Sequence, residues 1–140
     1  MKIGLIGAGR LGICLALLIE KAGYQVLASD NREDYIRSLQ NGIINTAEPE
    51  VQQYLSNANN IEFTTDNTRV IAECDIIFTL VATPSLEDGS YDVSAVWKVI
   101  DDFKNIPILL NEKSLVVGCT TNPGDCNDFQ NALKDTGIDV

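Results

Sequence analysis

Lys2-Ile3-Gly4-Leu5-Ile6-Gly7-Ala8-Gly9-Arg10-Leu11-Gly12 stands at the start of the chain, and its reading decides the fold. An apolar run ends at Ile6, and three glycines follow in a G-x-G-x-x-G spacing. A helical pattern then begins, with Leu11, Leu15, Leu18 and Ile19 on one stripe and Ala16 and Ala22 nearby. Strand, glycine turn and helix together form a dinucleotide-binding fingerprint. Gly7 permits the tight turn, Gly9 lets the backbone approach a pyrophosphate, and Gly12 lets helix and strand pack closely. The free N–H groups of the first helical turn, at the positive end of the helix dipole, then face the phosphate charge.

Glycine-rich turns occur in many loops, so the fingerprint needs its acidic partner. Gln25-Val26-Leu27-Ala28-Ser29 reads as a second strand, closed by Asp30 twenty-three positions after Gly7. That matches the spacing of about 20 residues expected for the acid that holds the adenosine ribose. A carboxylate there accepts from the ribose hydroxyls and repels a 2′-phosphate, which favours NAD over NADP. Arg32, two residues on, is placed to soften that repulsion. The competing interpretation is a glycine turn and a helix cap with no ligand.

The 140 residues make one domain, large enough to bury a core. The formal net charge of −10 disfavours nucleic acid or an anionic membrane as a partner, because an acidic surface attracts neither. No basic segment precedes an apolar stretch, and no apolar span is long enough for a membrane helix. The four cysteines, Cys14, Cys74, Cys119 and Cys126, form no C-x-x-C pair, and the chain has no histidine. A metal site is therefore not expected, nor is a disulfide between Cys119 and Cys126; Cys14 and Cys74 read as buried structural thiols. A cytoplasmic location is the expectation that best fits that cysteine usage. The missing histidine also removes the usual general base.

Further along, strand and helix patterns alternate, which predicts an α/β fold: a Rossmann-type doubly wound parallel sheet with helices on both faces. Strands are predicted near residues 2–7, 25–29, 61–64, 75–81 and 115–120, and helices near 10–22, 32–40, 48–56, 67–73, 92–103 and 124–135. The run Asp75-Ile76-Ile77-Phe78-Thr79-Leu80-Val81 is almost continuously apolar, as a central strand buried on both faces should be. Asp92 is placed to cap the fifth helix, with Val93, Val96, Val99 and Ile100 on its inner face. Gly137-Ile138-Asp139-Val140 reads as a helix C-cap and the first residues of a sixth strand, which leads us to expect a domain of residues 1–140 cut from a longer protein.

Four further segments carry specific residues: Asn41-Gly42 followed by Glu48-Pro49; Phe63-Thr64-Thr65-Asp66; Val81-Ala82-Thr83-Pro84 with Asp88-Gly89-Ser90; and Cys119-Thr120-Thr121-Asn122-Pro123-Gly124. Thr83 and Thr120 fall at the carboxyl ends of the fourth and fifth predicted strands, the edge where doubly wound sheets bind ligands. Each alone is as easily a cap or turn residue.

In this order, the motifs resemble those of the UDP-glucose/GDP-mannose dehydrogenases, along essentially the whole chain. Glu48-Pro49 is similar to that family's G-x-x-P-x-x-E-P segment, Phe63-Thr64-Thr65-Asp66 to its F-T-T-D, Ala82-Thr83-Pro84 with Asp88-Gly89-Ser90 and Asp92 to its G-T-P…D-G-S-x-D loop, and Thr120-Thr121-Asn122-Pro123-Gly124 to its S-T-V-x-P-G turn. The resemblance implies a cofactor, NAD, held at the pyrophosphate by Gly7, Gly9, Arg10, Leu11 and Gly12 and at the ribose by Asp30. Val81, Ala82 and Thr83 would line the adenine and ribose side. Thr120 would lie by the nicotinamide, organise a catalytic water and count as the one catalytic residue. It also implies the reaction: oxidation of a sugar C6 alcohol to a carboxylate with two NAD, in a homodimeric enzyme of polysaccharide biosynthesis. The substrate would be a nucleotide sugar such as UDP-glucose, bound by parts this chain lacks, so the 140 residues alone are expected to be inactive. None of the four cysteines matches the family's nucleophile. Tyr35 stands where a basic residue is common, Asn45 and Glu50 replace a proline and a glycine, and Gly118-Cys119 precedes Thr120 where K-S is common. Two other readings stay open: a dehydrogenase of β-hydroxyacids or polyol phosphates, and a non-catalytic nucleotide-binding module.

Overall fold

The computed structural model describes residues 1–108 and 110–140. Five strands, β1 (Lys2–Ile6), β2 (Gln25–Ser29), β3 (Ile61–Thr64), β4 (Ile76–Thr79) and β5 (Ser114–Val117), form one sheet in the order β3-β2-β1-β4-β5. Every pair is parallel. The helices are α1 (Arg10–Lys21), α2 (Glu33–Gln40), α3 (Val51–Asn57), α4 (Asn67–Glu73), α5 (Ser94–Asn105) and α6 (Asp125–Leu133).

The two-residue period of the strands sends side chains to two cores. Ile3 and Leu5 of β1, Val26 and Ala28 of β2, and Phe63 of β3 pack on one face against Ile13, Ala16 and Leu17 of α1 and the inner residues of α2 and α3. Ile6, Leu27, Ile77 and Leu115 pack on the other against α4, α5 and α6, around Ile100, Phe103 and Phe129. Each large apolar side chain withdrawn from water in these layers contributes about 1.5–3 kcal/mol. Gly4 faces α4, where a Cβ would come within 2.7 Å of Val70 Cγ1, so the absence of a side chain sets how closely that helix lies on the sheet. β5 is covered on one face only, and Val116 is exposed on the other.

The buried face of α1 differs from the predicted stripe. Gly12, Ile13, Ala16 and Leu17 point inward, whereas Leu11 and Leu18 are 63% and 55% exposed. Gly12 imposes this rotation, because its α-carbon lies against the carbonyl of Gly7. Helix α3 begins at Val51 rather than 48, since Glu50 takes a left-handed conformation (φ 63°) that no helix can include. Cys14 is half-buried, not buried, while Cys74 is sealed between α4 and β1; all four thiols are free. Beyond α6, the Leu115 N–H donates to the Asp139 carbonyl at 2.7 Å, and Asp139 bridges Ser114 in parallel. The expected sixth strand is present only as this isolated bridge, and the sheet of the described residues has five strands. Among the described residues no helix is long and apolar enough to cross a membrane.

From β1 the chain runs outward through β2 and β3, then returns to place β4 and β5 on β1's other side. The carboxyl ends of β1 and β4 are therefore the topological switch point, where loops diverge and leave a crevice.

Candidate functional site

The crevice is built from the glycine turn upward. Gly7 and Ala8 both donate their N–H to the Ser29 carbonyl at 2.9 Å, which ties the end of β1 to the end of β2. Gly7 has φ +101°, a conformation that L side chains avoid, and a Cβ there would lie 2.8 Å from the Leu80 carbonyl. At Gly12 a Cβ would lie 2.0 Å from the Gly7 oxygen; at Gly9 it would meet nothing within 4 Å. Two glycines are thus required by packing, and one leaves open space. The first N–H bond of α1 runs from Ile13 to the Gly9 carbonyl, so the amides of residues 9–12 are the orphan donors of a helix start.

Those features open onto a cavity of about 870 Å³, inside the range usual for small-molecule sites. Gly7, Gly9, Arg10, Asp30, Val81 and Ala82 line it, so six of the residues singled out in the sequence come together. Four do not line it. Gly12 is buried beneath the turn, Leu11 is exposed beside it, Thr83 is half-buried just past Ala82, and Thr120 is exposed on the β5–α6 loop.

Asp30 sits at the far end with its side chain only 8% exposed. Arg32 holds it in a fork: Nε donates to Oδ1 at 2.8 Å and Nη2 to Oδ2 at 2.9 Å, while the Arg32 backbone N–H also donates to Oδ1 at 3.1 Å. The guanidinium lies 4.1 Å above the Tyr35 ring, and the Tyr35 hydroxyl donates to the Ala8 carbonyl at 2.7 Å. Hydrogen bonding to Asp30 raises the Arg32 pKa, and burial raises that of Tyr35, so both keep their protons throughout the physiological range.

The opposite wall was not foreseen. Ala95, Lys98, Val99 and Asp102 of α5 face the cavity, at helical spacing beside the stripe that packs into the core. Asn67 at the start of α4 forms the floor: Ser29 Oγ donates to its Oδ1 at 2.7 Å, and its Nδ2 donates to Asp102 at 2.8 Å. Helical spacing groups residues 95, 98, 99 and 102 on one side of α5, but it does not mark that side as a cavity wall.

The remaining motifs act on the frame around the cavity. Asp66 caps α4 by accepting from the N–H groups of Thr68 and Arg69 at 2.8 and 3.3 Å. Asp92 accepts from the Ser94 N–H at the start of α5. Asp88 is bonded by Ser90, which lowers its pKa and closes a tight turn with Gly89 at φ +84°. Asn122 bonds the backbone of Tyr91 in both directions, at 2.8 and 3.0 Å, and thereby ties the β4–α5 loop to the loop that carries Thr120. Glu48 reaches back to Arg10 at 3.7 Å, across an exposed side chain.

A glycine turn with one open Cα, orphan amides and a buried acid in one cavity is a cradle that fits a dinucleotide. Residues 1–139 match the UDP-glucose/GDP-mannose dehydrogenase family, NAD binding domain. The chain belongs to that family. It is the family's NAD-binding domain, and NAD is the cofactor of such domains. The UDP-glucose 6-dehydrogenase of Rickettsia bellii is 30% identical over 142 residues, covering 99% of this chain and 32% of the relative. The UDP-glucose 6-dehydrogenase TuaD of Bacillus subtilis is 32% identical over 124 residues, covering 84% of this chain and 27% of the relative. Among solved structures, the GDP-mannose dehydrogenase of Pseudomonas aeruginosa superposes with a TM-score of 0.85 at 22% identity, over 99% of this chain and 33% of that one. The UDP-N-acetyl-mannosamine dehydrogenase Cap5O of Staphylococcus aureus gives 0.86 at 24%, over 100% and 34%. The family's Rossmann fold is therefore shared along the chain, which spans about a third of the length of these nucleotide-sugar dehydrogenases.

Proposed function

We propose that residues 1–140 act as one domain that holds NAD for a nucleotide-sugar dehydrogenase, which oxidises a sugar C6 alcohol to the carboxylate. The observation that carries this is the cradle: open space at Gly9, closed packing at Gly7 and Gly12, and Asp30 in the same cavity. The amides of Gly9, Arg10, Leu11 and Gly12 hold the pyrophosphate, with the α1 dipole behind them. Asp30 accepts from the adenosine ribose, and Val81, Ala82 and Thr83 border the adenine and ribose. Thr120 organises a catalytic water from the neighbouring loop, which Asn122 braces. Bound NAD supplies the hydride acceptor.

UDP-glucose is the substrate favoured by the names of the relatives, with UDP-N-acetyl sugars and GDP-mannose behind it. The sugar nucleotide is bound by parts that the relatives carry beyond the matched third, and the 140 residues alone do not turn over. We read the whole protein as a homodimer of polysaccharide biosynthesis, as the family resemblance implies, and as cytoplasmic, in keeping with four free thiols.

Calorimetric titration of the 140-residue chain with NAD tests the cofactor site. Saturable binding that weakens about tenfold or more in Asp30→Ala is the expected result. A well-folded chain that binds no NAD, or an Asp30→Ala variant that binds it undiminished, refutes the assignment.

A further inference from the structure

We propose that Arg32 is the cofactor-specificity residue of this site and makes it accept a 2′-phosphorylated adenosine, so that the domain binds NADP as well as NAD. The inference rests on the cofactor site proposed above.

A ribose-binding acid excludes NADP by two means: its negative charge, and acceptor oxygens free to take both ribose hydroxyls. Asp30 retains little of either. An ionised carboxylate offers about four acceptor positions. Three at Asp30 are used, by Arg32 Nε and Nη2 and by the Arg32 backbone N–H. What remains suits one hydroxyl, not a diol. The fork also cancels the charge, so a 2′-phosphate meets a neutral pair instead of a bare anion.

Arg32 also presents donors of its own. A guanidinium has five N–H groups in a fixed plane. Two point at Asp30, which leaves both on Nη1 and one on Nη2, on a side chain 56% exposed. The plane is held from two sides, by the carboxylate and by the Tyr35 ring 4.1 Å away, and Tyr35 is anchored to Ala8 in the glycine turn itself. An arginine fixed this way loses little freedom on meeting a phosphate, and its hydrogen bonds to phosphate are charge-assisted.

The charge of the cavity agrees. The chain as a whole carries −10, yet the cavity wall is balanced: Arg10, Arg32 and Lys98 against Asp30, Asp101 and Asp102. A phosphate brought to this wall is spared the repulsion of the surrounding surface.

Parallel calorimetric titrations of the 140-residue chain with NAD and NADP decide the matter, with Arg32→Ala and Arg32→Lys beside the wild type. Wild-type NADP affinity within about thirtyfold of NAD is expected, together with an Arg32→Ala variant whose NADP-to-NAD affinity ratio falls about thirtyfold further. Arg32→Lys keeps the charge without the fork and should fall between. A wild-type preference for NAD beyond that thirtyfold margin overturns the proposal while leaving the NAD site standing, as does an unchanged ratio in Arg32→Ala. If Arg32→Ala does not fold, the wild-type ratio and Arg32→Lys still decide. Binding of neither nucleotide refutes the cofactor site and this inference with it.

Discussion

Gly9 and Gly12 belong to one motif, yet the structure separates their duties, and alanine at each position tests the separation. A Cβ at Gly12 would stand 2.0 Å from the Gly7 carbonyl oxygen, with the Gly7 carbon at 3.0 Å. Carbon–oxygen contacts settle near 3.3–3.6 Å, so α1 and the turn must move apart by roughly an ångström. Both partners are backbone, and no side chain can rotate out of the way. Overpacking of this kind costs typically 1–3 kcal/mol, and a backbone-to-backbone clash lies at the top of that range, about 3 kcal/mol. For a chain of this length that is a fall of roughly 10 °C in Tm.

Gly9 is the reverse case. Its φ and ψ are −64° and −161°, a conformation open to any residue, and its Cβ would meet no protein atom within 4 Å. Gly9→Ala should therefore fold within about 0.5 kcal/mol of wild type, helped slightly by the lower entropy of its unfolded chain. The new methyl group nevertheless projects where the pyrophosphate must approach, and the loss of charge-assisted amide contacts should weaken NAD about thirtyfold. Urea melts followed by the fluorescence of Trp97, whose ring meets Phe129 edge-on at 4.9 Å, give the stabilities, and calorimetry gives the affinities. The reasoning fails if Gly12→Ala melts with the wild type, or if Gly9→Ala binds NAD as tightly as the wild type does.

Two further expectations concern the frame. Asp66→Ala removes the side chain that caps two N–H groups of α4 and should lower stability by about 1 kcal/mol, whereas Asp66→Asn should keep most of it; urea midpoints at constant m value check both. Burial pushes the Cys74 thiol up to about 11, so at pH values between the ordinary thiol range and 11 the unfolded chain gives up a proton that the folded chain keeps. The folded pKa is raised, so stability is full at lower pH and falls as pH rises through this window, by about 1.4 kcal/mol per pH unit from this group. Cys74→Ala should remove that part of the alkaline slope, and a slope identical to wild type would disprove the assignment.

The sheet was readable because parallel strands buried on both faces leave near-continuous apolar runs, and because glycine and Asp66 punctuate the elements by steric and capping rules that act locally; Asp92 instead bonds the Ser94 N–H from just before α5, whose N-cap position is Val93. Helix α1 shows where periodicity fails. From Ile13 to Ile19 nearly every residue is apolar, so two stripes fit equally well, and the one through Leu11 and Leu18 was the wrong choice. The deciding signal lay in the fingerprint itself: Gly12 has to face the turn, so the inner residues are those one, four and five positions later, Ile13, Ala16 and Leu17. The α5 wall was missed for a related reason. Val96, Val99, Ile100 and Phe103 account for that helix as core, and nothing local reveals that Ala95, Lys98 and Asp102 look onto a cavity made by distant loops.

The acid at position 30 marks a deeper limit. A glycine motif can be read residue by residue, because each constraint is a contact between backbone atoms that the spacing already fixes. A charge cannot be read that way. Asp30 taken alone is an anion that selects NAD; with Arg32 in its fork it is half of a neutral pair. Arg32, which forms that fork, also lies on the ring of Tyr35, whose hydroxyl is bonded to Ala8 in the glycine turn. On the specificity proposal above, selectivity belongs to the unit of three residues. The substitution of Tyr35 for a basic residue, which from sequence alone looks like the loss of a ligand contact, becomes in the structure the support for another cation, Arg32, which is bonded directly to Asp30. Arg32 and Tyr35 should accordingly be varied together: if Tyr35→Ala leaves the NADP-to-NAD ratio where Arg32→Ala does not, the ring is dispensable and the fork to Asp30 alone sets the selectivity.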